Sequence, residues 1–329
     1  MTINIIPDTF DPQLYNSVVD HPLQSWEWGE ARKATGVEIL RIGEFNGSDL
    51  KKAFLMTLHN IPFTRFKIGY IPRSDIPSKA LLDFLKEIAL QNNLIFIKIE
   101  PYVENKKPEK TNLNYLKKSP HPLFPQWTII SDISKDENKL MASLKPKTRY
   151  NINLAQKKGV YVKEESSQRG YEIFEKLYFE TITRQKYKGH DVNYHRKNWE
   201  MVKGKLSRIL IAYLEKEPLA AYHLFLFKNR CFYVYGGSSD KFRNSMASNL
   251  LMWESLLFAK RNGCDSFDMW GSLSKDYSHS HKWAGFTRFK EGYGGEFVEM
   301  VGSYDLVAKP VLYNLYNLAY SVREMLLKI

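Results

Sequence analysis

The sequence predicts an α/β (α+β) chain folded as two domains, each a mixed sheet flanked by helices. Three observations carry this expectation. At about 150 residues per domain, 329 residues allow roughly two buried cores. In the first third, short β-rich runs alternate with a helix-period segment, with turn residues between them. Further on, strands joined by tight turns lead into an amphipathic helix and one more strand, the pattern of an antiparallel meander closed by a crossover.

The elements follow in order. Segments 56–60, 66–71 and Leu94–Glu100 read as short strands, and 78–91 as a helix, because Ala80, Leu81, Phe84, Leu85 and Ile88 recur three and four apart. Asn92 and Asn93 stop that helix. The stretch 105–125 sets Lys106, Lys107, Lys110, Lys117 and Lys118 against one acid, Glu109, with prolines at 108, 120, 122 and 125, and reads as a basic surface loop. A strand at 127–130 precedes Ser134, which stands three residues before Glu137 as in a capping box. The next helix opens at Pro146 and closes at Gly159. A helical stretch, 171–185, leads to strands at 208–214, 218–227 and 231–235, then a helix at 245–261 and a strand at 266–270. At the end, Val311, Leu315, Leu318, Val322, Met325 and Ile329 form one apolar stripe, expected to dock on the protein's own surface.

Composition bounds the function. With 43% hydrophobic, 14% aromatic and 26% charged residues the chain is a folding one rather than a disordered one. The apolar run 219–227 is broken by His223 and falls short of the roughly 18 to 20 residues of a membrane span. The start, MTINIIPDTFDPQ, lacks a basic segment followed by an apolar one, so a cytoplasmic location is expected. Two cysteines, Cys231 and Cys264, outside any CxxC pair, exclude zinc ribbons and disulfide frameworks. A net charge of +12 favours polyanions: nucleic acid, sugar-nucleotide phosphates or an anionic membrane face.

The motif search removes several chemistries. No GxxxxGK[ST] loop occurs, Gly292-Tyr293-Gly294-Gly295 reads as a turn rather than a dinucleotide site, and no GxSxG elbow is present. His279 and His281 have no third ligand at metal spacing, so neither a metal nor another cofactor is expected.

Three segments carry a resemblance: LKPKTRYNINLAQKKGV, YVYGGSSDKFRNSMASNLLMWESLLFAKRNGCDSFDMWG and GFTRFKEGYGGEFVEMVGSYDL, joined near the N-terminus by HPLQSWEWGEARKATG. In this order they resemble the FemA/FemX (FemABX) aminoacyltransferases, over nearly the whole chain. The resemblance implies two tandem GNAT-like acyltransferase domains facing a cleft, 1–132 with 304–329 and 133–303, with the last helix returning to the first. Only about 50 residues separate Gly159 from the strand at Arg208, which points to the layout without a long helical arm. The implied activity moves an amino acid from aminoacyl-tRNA onto the stem-peptide amine of UDP-MurNAc-pentapeptide or lipid II. A monomer in peripheral contact with the inner membrane surface is the expected form.

Residue roles follow from the same likeness. Lys290 matches the family's lysine at the site of transfer and is expected to stabilise the tetrahedral oxyanion; the competing reading is a solvated lysine at a strand end. Lys33 and Arg184 correspond in placement to a phosphate-binding pair. Tyr235 and Phe289 are substrate-binding candidates, and Lys145, Lys147 and Arg149 a basic cluster for the tRNA acceptor stem. The segment 241–247, where acetyltransferases of this fold cradle coenzyme A on glycines, has none here, which favours a different donor. The alternatives are an acyl-CoA-dependent N-acyltransferase and a noncatalytic RNA-binding protein.

Overall fold

The computed structural model describes residues 1–106, 111–186 and 189–326. In chain order these give β1 (Thr2–Ile5), α1 (Pro12–Ser17), α2 (Trp26–Ala34), β2 (Glu38–Asn46), β3 (Asp49–Asn60), β4 (Lys67–Pro72), α3 (Lys79–Gln91), β5 (Leu94–Glu100) and β6 (Lys117–Lys118). Next come β7 (Trp127–Asp132), α4 (Glu137–Ser143), α5 (Pro146–Lys157), β8 (Val160–Glu164), α6 (Gln168–Gln185), α7 (Val192–Val202), β9 (Ser207–Leu214), β10 (Glu217–Phe227) and β11 (Arg230–Ser238). The last elements are α8 (Ala247–Arg261), β12 (Ser266–Asp268), α9 (Ala284–Glu291), β13 (Glu296–Glu299), β14 (Tyr304–Val307) and α10 (Pro310–Leu326). They divide into two compact units, Met1–Gln126 with Met300–Ile329, and Trp127–Glu299. The second unit thus begins at β7 and ends after β13, whereas the sequence-based division left 127–132 with the first domain and 300–303 with the second.

The first unit is built on a seven-stranded sheet of order β1-β2-β3-β4-β5-β14-β6. Its one parallel pair, β4 with β5, is joined by α3, as a parallel connection requires. Ser78 caps α3, accepting from the Leu81 N–H at 3.1 Å. The buried face of that helix, Leu81, Leu82, Leu85 and Ile88, packs on Phe54, Met56, Ile71 and Ile97. Lys117 and Lys118, read as loop, pair as β6 with Asp305 and Tyr304 because β14 presents an open edge; Lys107 and Lys110 lie outside the described residues.

The terminal helix α10 lies over β5, but not by the face the periodicity selects. Val311, Leu315, Leu318, Val322 and Met325 are 74, 56, 64, 42 and 60% exposed, and Ile329 lies outside the described residues. The helix docks instead through Leu312, Tyr313 and Tyr316. The reason is polar as well as apolar. The Tyr313 ring meets Phe96 edge-on at 5.2 Å, and its hydroxyl donates to buried Asp305 at 2.8 Å, whose other oxygen accepts from Lys98 of β5 at 3.0 Å. An aliphatic stripe offers that carboxylate no donor.

The second unit has the order β13-β7-β12-β11-β10-β9-β8. Its meander β8 to β11 is antiparallel, and α8 crosses from β11 to the parallel β12. Leu250, Leu251, Met252 and Trp253 of α8 join Tyr222, Leu224 and Phe267 in the core. Two expectations shift locally. The cap of α4 is Asp136, which accepts from the Lys139 N–H at 2.9 Å, while the Ser134 hydroxyl donates to Asp132 at 2.6 Å. Between β8 and β9 stand α6 and a further helix, α7, for which the sequence pattern gave no sign.

Against the outer face of β11 lies α6, and glycine makes the approach possible. A Cβ on Gly237 would sit 2.4 Å from the backbone of Leu177 and Tyr178. We expect Gly237→Ala to cost about 1–3 kcal/mol of stability by overpacking, read as a lower urea midpoint. An unchanged midpoint would disprove this account of the strand–helix contact.

Candidate active site

At the end of β12 the chain bends through Met269, Trp270 and Gly271. Trp270 has φ 73°, a left-handed conformation that is costly for a bulky side chain and persists only where its surroundings impose it. Two side chains impose it. Asp268, buried, accepts from the Trp270 N–H at 2.7 Å and from the Thr128 hydroxyl at 2.6 Å. Lys290 of α9 donates from Nζ to the carbonyl of Met269 and, at 2.7 Å, to that of Gly271, one on each side of the strained residue. The Lys290 ammonium also lies 3.7 Å from the centre of the Phe286 ring and 5.4 Å from that of Tyr233.

Lys290 is 1% exposed. It is therefore neither a solvated strand-end lysine nor a group at an open mouth: it sits on a helix, enclosed behind the partly exposed Phe286. Burial pushes its pKa well below the ordinary lysine range, opposed by the charge of Asp268.

A cleft of about 320 Å³ opens in the same unit at the N-terminus of α8. Arg184, Ser238, Lys241, Arg243, Ser245 and Asn249 line it. The loop enters α8 through Phe242 and Met246, both left-handed without being glycine, and no side chain caps the helix. Ser245 is 2% exposed, and its hydroxyl has no hydrogen-bond partner among the described residues. The Arg184 guanidinium reaches the Ser238 carbonyl at 3.0 Å and Asp240 at 3.1 Å, Lys241 reaches Glu217 at 2.8 Å, and Arg243 pairs with Asp240. Three cations against two carboxylates, at the positive end of a fifteen-residue helix, make a site suited to anions.

Tyrosines link the cleft to the lysine. Tyr293 donates to the Asn249 carbonyl at 3.0 Å, Tyr222 donates to the Ser248 carbonyl at 3.4 Å, and the Tyr222 and Tyr233 rings are 4.4 Å apart. Burial raises the pKa of all three phenols, so they remain neutral donors.

The model of the FemAB family matches residues 115–217 and 213–321, a span that takes in the cleft, the Trp270 bend and Lys290. The chain belongs to the FemAB family. Its relatives include the lipid II:glycine glycyltransferases of Staphylococcus epidermidis and Staphylococcus aureus, each 24% identical, with 91% of this chain and 91% of the relative covered. Among solved structures, FemX superposes with a TM-score of 0.82 at 20% identity, covering 96% of this chain and 99% of that one. A tandem GNAT protein from the clavulanic acid biosynthesis pathway gives 0.52 at 10% identity over 92 and 97%. The C-terminal domain of a putative lysylphosphatidylglycerol synthetase from Agrobacterium fabrum gives 0.58 at 11% over 89 and 92%. The fold is the tandem GNAT-like one.

The other candidates of this FemAB chain scatter. Lys33, on α2 of the first unit, is bound to Asp8 at 2.5 Å and Glu30 at 3.3 Å, carboxylates shared with buried Arg41. The Lys33 hydrogen bond, helped by the Lys33 and Arg41 charges and opposed by desolvation, lowers the Asp8 pKa. Phe289 packs on Tyr293 at 5.3 Å, on the core side of Lys290. Lys145 stands at the start of α5 without a side-chain cap and pairs with Glu291 at 2.6 Å, next to Lys290. Arg149 donates to the carbonyls of Ala142 and Leu144, closing the end of α4, so it is committed within the protein; Lys147 is exposed.

Tyr235 belongs to a group the sequence reading missed. Its ring lies 5.0 Å from His195 and 5.4 Å from Tyr178, in an aromatic cluster with Tyr171, Phe174, Trp199 and His223. His223, which interrupts the apolar run of β10, was the available signal. Its Nε2 meets the Ser207 hydroxyl at 2.6 Å. Burial lowers His195 to about 4 and His223 to about 3.

The sign of the pH effect follows from those values. Both imidazoles stay neutral in the folded protein while the unfolded chain takes up their protons below its ordinary pKa of about 6.5. Stability should therefore fall as pH drops from about 6.5 toward 4, by up to about 2.7 kcal/mol per unit for the two groups together. Replacing His195 by Phe should halve that slope in urea titrations across this range. A slope equal to that of the parent protein would refute the buried neutral state of His195.

Proposed function

We propose that this FemAB-family transferase moves an amino acid from aminoacyl-tRNA onto the stem-peptide amine of a peptidoglycan precursor, lipid II or UDP-MurNAc-pentapeptide. The observation that carries the reading is the buried amine of Lys290, pinned to the Trp270 bend, in a chain alike over 91% of its length to lipid II:glycine glycyltransferases. The amine lone pair of the acceptor attacks the ester carbonyl carbon. The bond to the ribose oxygen then breaks, and the proton shed by the amine ends on that ribose hydroxyl. Between these events the carbonyl oxygen carries negative charge, and a fixed N–H donor in a site closed to water lowers the barrier most. Lys290 supplies that donor once the Phe286 ring moves off Nζ.

The cleft at α8 supplies the anion anchor. Arg184, with Arg243, Ser245 and the helix terminus, suits the phosphates of a nucleotide- or lipid-linked acceptor. Lys33, held by Asp8 and Glu30 in the first unit, is left out of this anchor. On the donor side Lys147 and Lys145 remain the cations suited to an RNA backbone, and Arg149 leaves the set. An acyl-CoA donor is disfavoured by the side chains of 241–247.

Purified protein incubated with charged tRNAs and either acceptor should yield a product one residue heavier by mass spectrometry. Lys290→Met should lower turnover about 100-fold or more while near-ultraviolet circular dichroism reports whether the Trp270 bend persists. Full activity in that variant would reject the role given to Lys290. Arg184→Ala should raise KM for the acceptor about tenfold with kcat little changed, the signature of lost uniform binding. A KM at the parent value would remove Arg184 from the anchor.

A further inference from the structure

The outward face of α10 is apolar without interruption. Val311, Leu315, Leu318, Val322, Met325 and Leu326 are all exposed, and the neighbouring outward positions are Asn314, Ala319 and Ser321. The helix has two charged residues, Arg323, exposed, and Glu324, half-buried, and both lie off the line of the stripe. A soluble helix normally turns such a stripe to the core. Here the core side is taken by the tyrosines, and the aliphatic face is left to the surroundings.

A second apolar group projects from the same part of the first unit. Phe63, at the tip of the β3–β4 connection, is fully exposed and left-handed at φ 61°. Its connection is anchored by Ile61 and Phe66 in the cluster that holds Leu312, Tyr313 and Tyr316 of α10. Cations border this cluster. Arg65 lies 5.6 Å and Lys309 6.0 Å from the Phe66 ring, and Lys117 lies 5.0 Å from the Tyr313 ring. Aliphatic side chains and a projecting phenylalanine, with arginine and lysines nearby, have the make-up of a helix lying in the interface of an anionic bilayer.

We infer that α10 and Phe63 dock this protein on an anionic lipid surface, with the stripe in the acyl boundary and Arg65, Lys117 and Lys309 against the headgroups. A second copy is the less suited occupant. The seam runs only two heptads, and its exposed flanks, Asn314, Ala319, Ser321 and Arg323, offer a single charge where paired helices use opposed charges to set partner and register. The inference stands on this surface alone and holds whichever donor the enzyme uses.

The test is cosedimentation of the full chain with vesicles of equal parts phosphatidylglycerol and phosphatidylcholine, and with vesicles of phosphatidylcholine alone. Binding is expected to the first, and at least about tenfold weaker to the second because each basic residue near the surface adds roughly 1 kcal/mol. The double variant Leu315→Ser with Leu318→Ser should lose about tenfold or more of the binding, with its urea midpoint unchanged since both side chains are already in water. Absence of binding, equal binding to both vesicles, or full binding by the variant would each overturn the inference. A concentration-dependent dimer in sedimentation velocity, dispersed by the variant, would assign the face to a second copy and overturn it as well.

Discussion

The Lys290 amine bridging the carbonyls on either side of Trp270 is the contact on which the proposed chemistry depends. A tryptophan in the left-handed region stores strain, and a lysine removed from water loses its hydration; neither is tolerated alone. Together they offset each other. The carbonyls replace the water that the amine gives up, and the amine fixes the bend that brings the carbonyls inward. Asp268, holding the Trp270 N–H and the Thr128 hydroxyl, completes a polar unit inside an otherwise apolar end of the sheet.

In the proposed reaction one side chain serves both folding and transfer. A donor held by two backbone carbonyls needs no reordering when charge appears beside it, the condition under which electrostatic stabilisation is most effective. The tyrosines between Lys290 and α8 extend the same design. All three are buried and neutral, and Tyr222 and Tyr293 are hydrogen-bonded to the backbone at the start of the helix whose terminus lines the cleft. Cleft and amine thus belong to one packed part of the second unit.

Much of the fold was legible because hydrophobic period and turn residues act locally. The helix at 78–91, the meander and the crossover helix at 245–261 follow from spacing alone. The failures have a common cause in polar contacts that hydrophobic period does not register. α10 turned its tyrosines rather than its aliphatics inward because Asp305, paired with Lys98 from far off in the sequence, accepts from Tyr313. Asp136 displaced Ser134 as a cap because Ser134 had found Asp132. Motif likeness pointed to Lys290, Arg184 and the segment 241–247, but not to Asp268 or Trp270, whose meaning lies in burial and backbone conformation. Lys33 and Arg149 were chosen for charge, and the structure shows that charge already answered by neighbours.

The most direct test of the central claim is the pH dependence of single-turnover kcat/KM for the parent protein beside Lys290→Arg. If the Lys290 ammonium stabilises the anion, activity should fall on the alkaline side at a pH well below the ordinary lysine pKa of about 10.4, and the arginine variant, whose guanidinium keeps its proton, should lose that limb while retaining measurable transfer. Identical alkaline limbs in the two proteins would contradict the account.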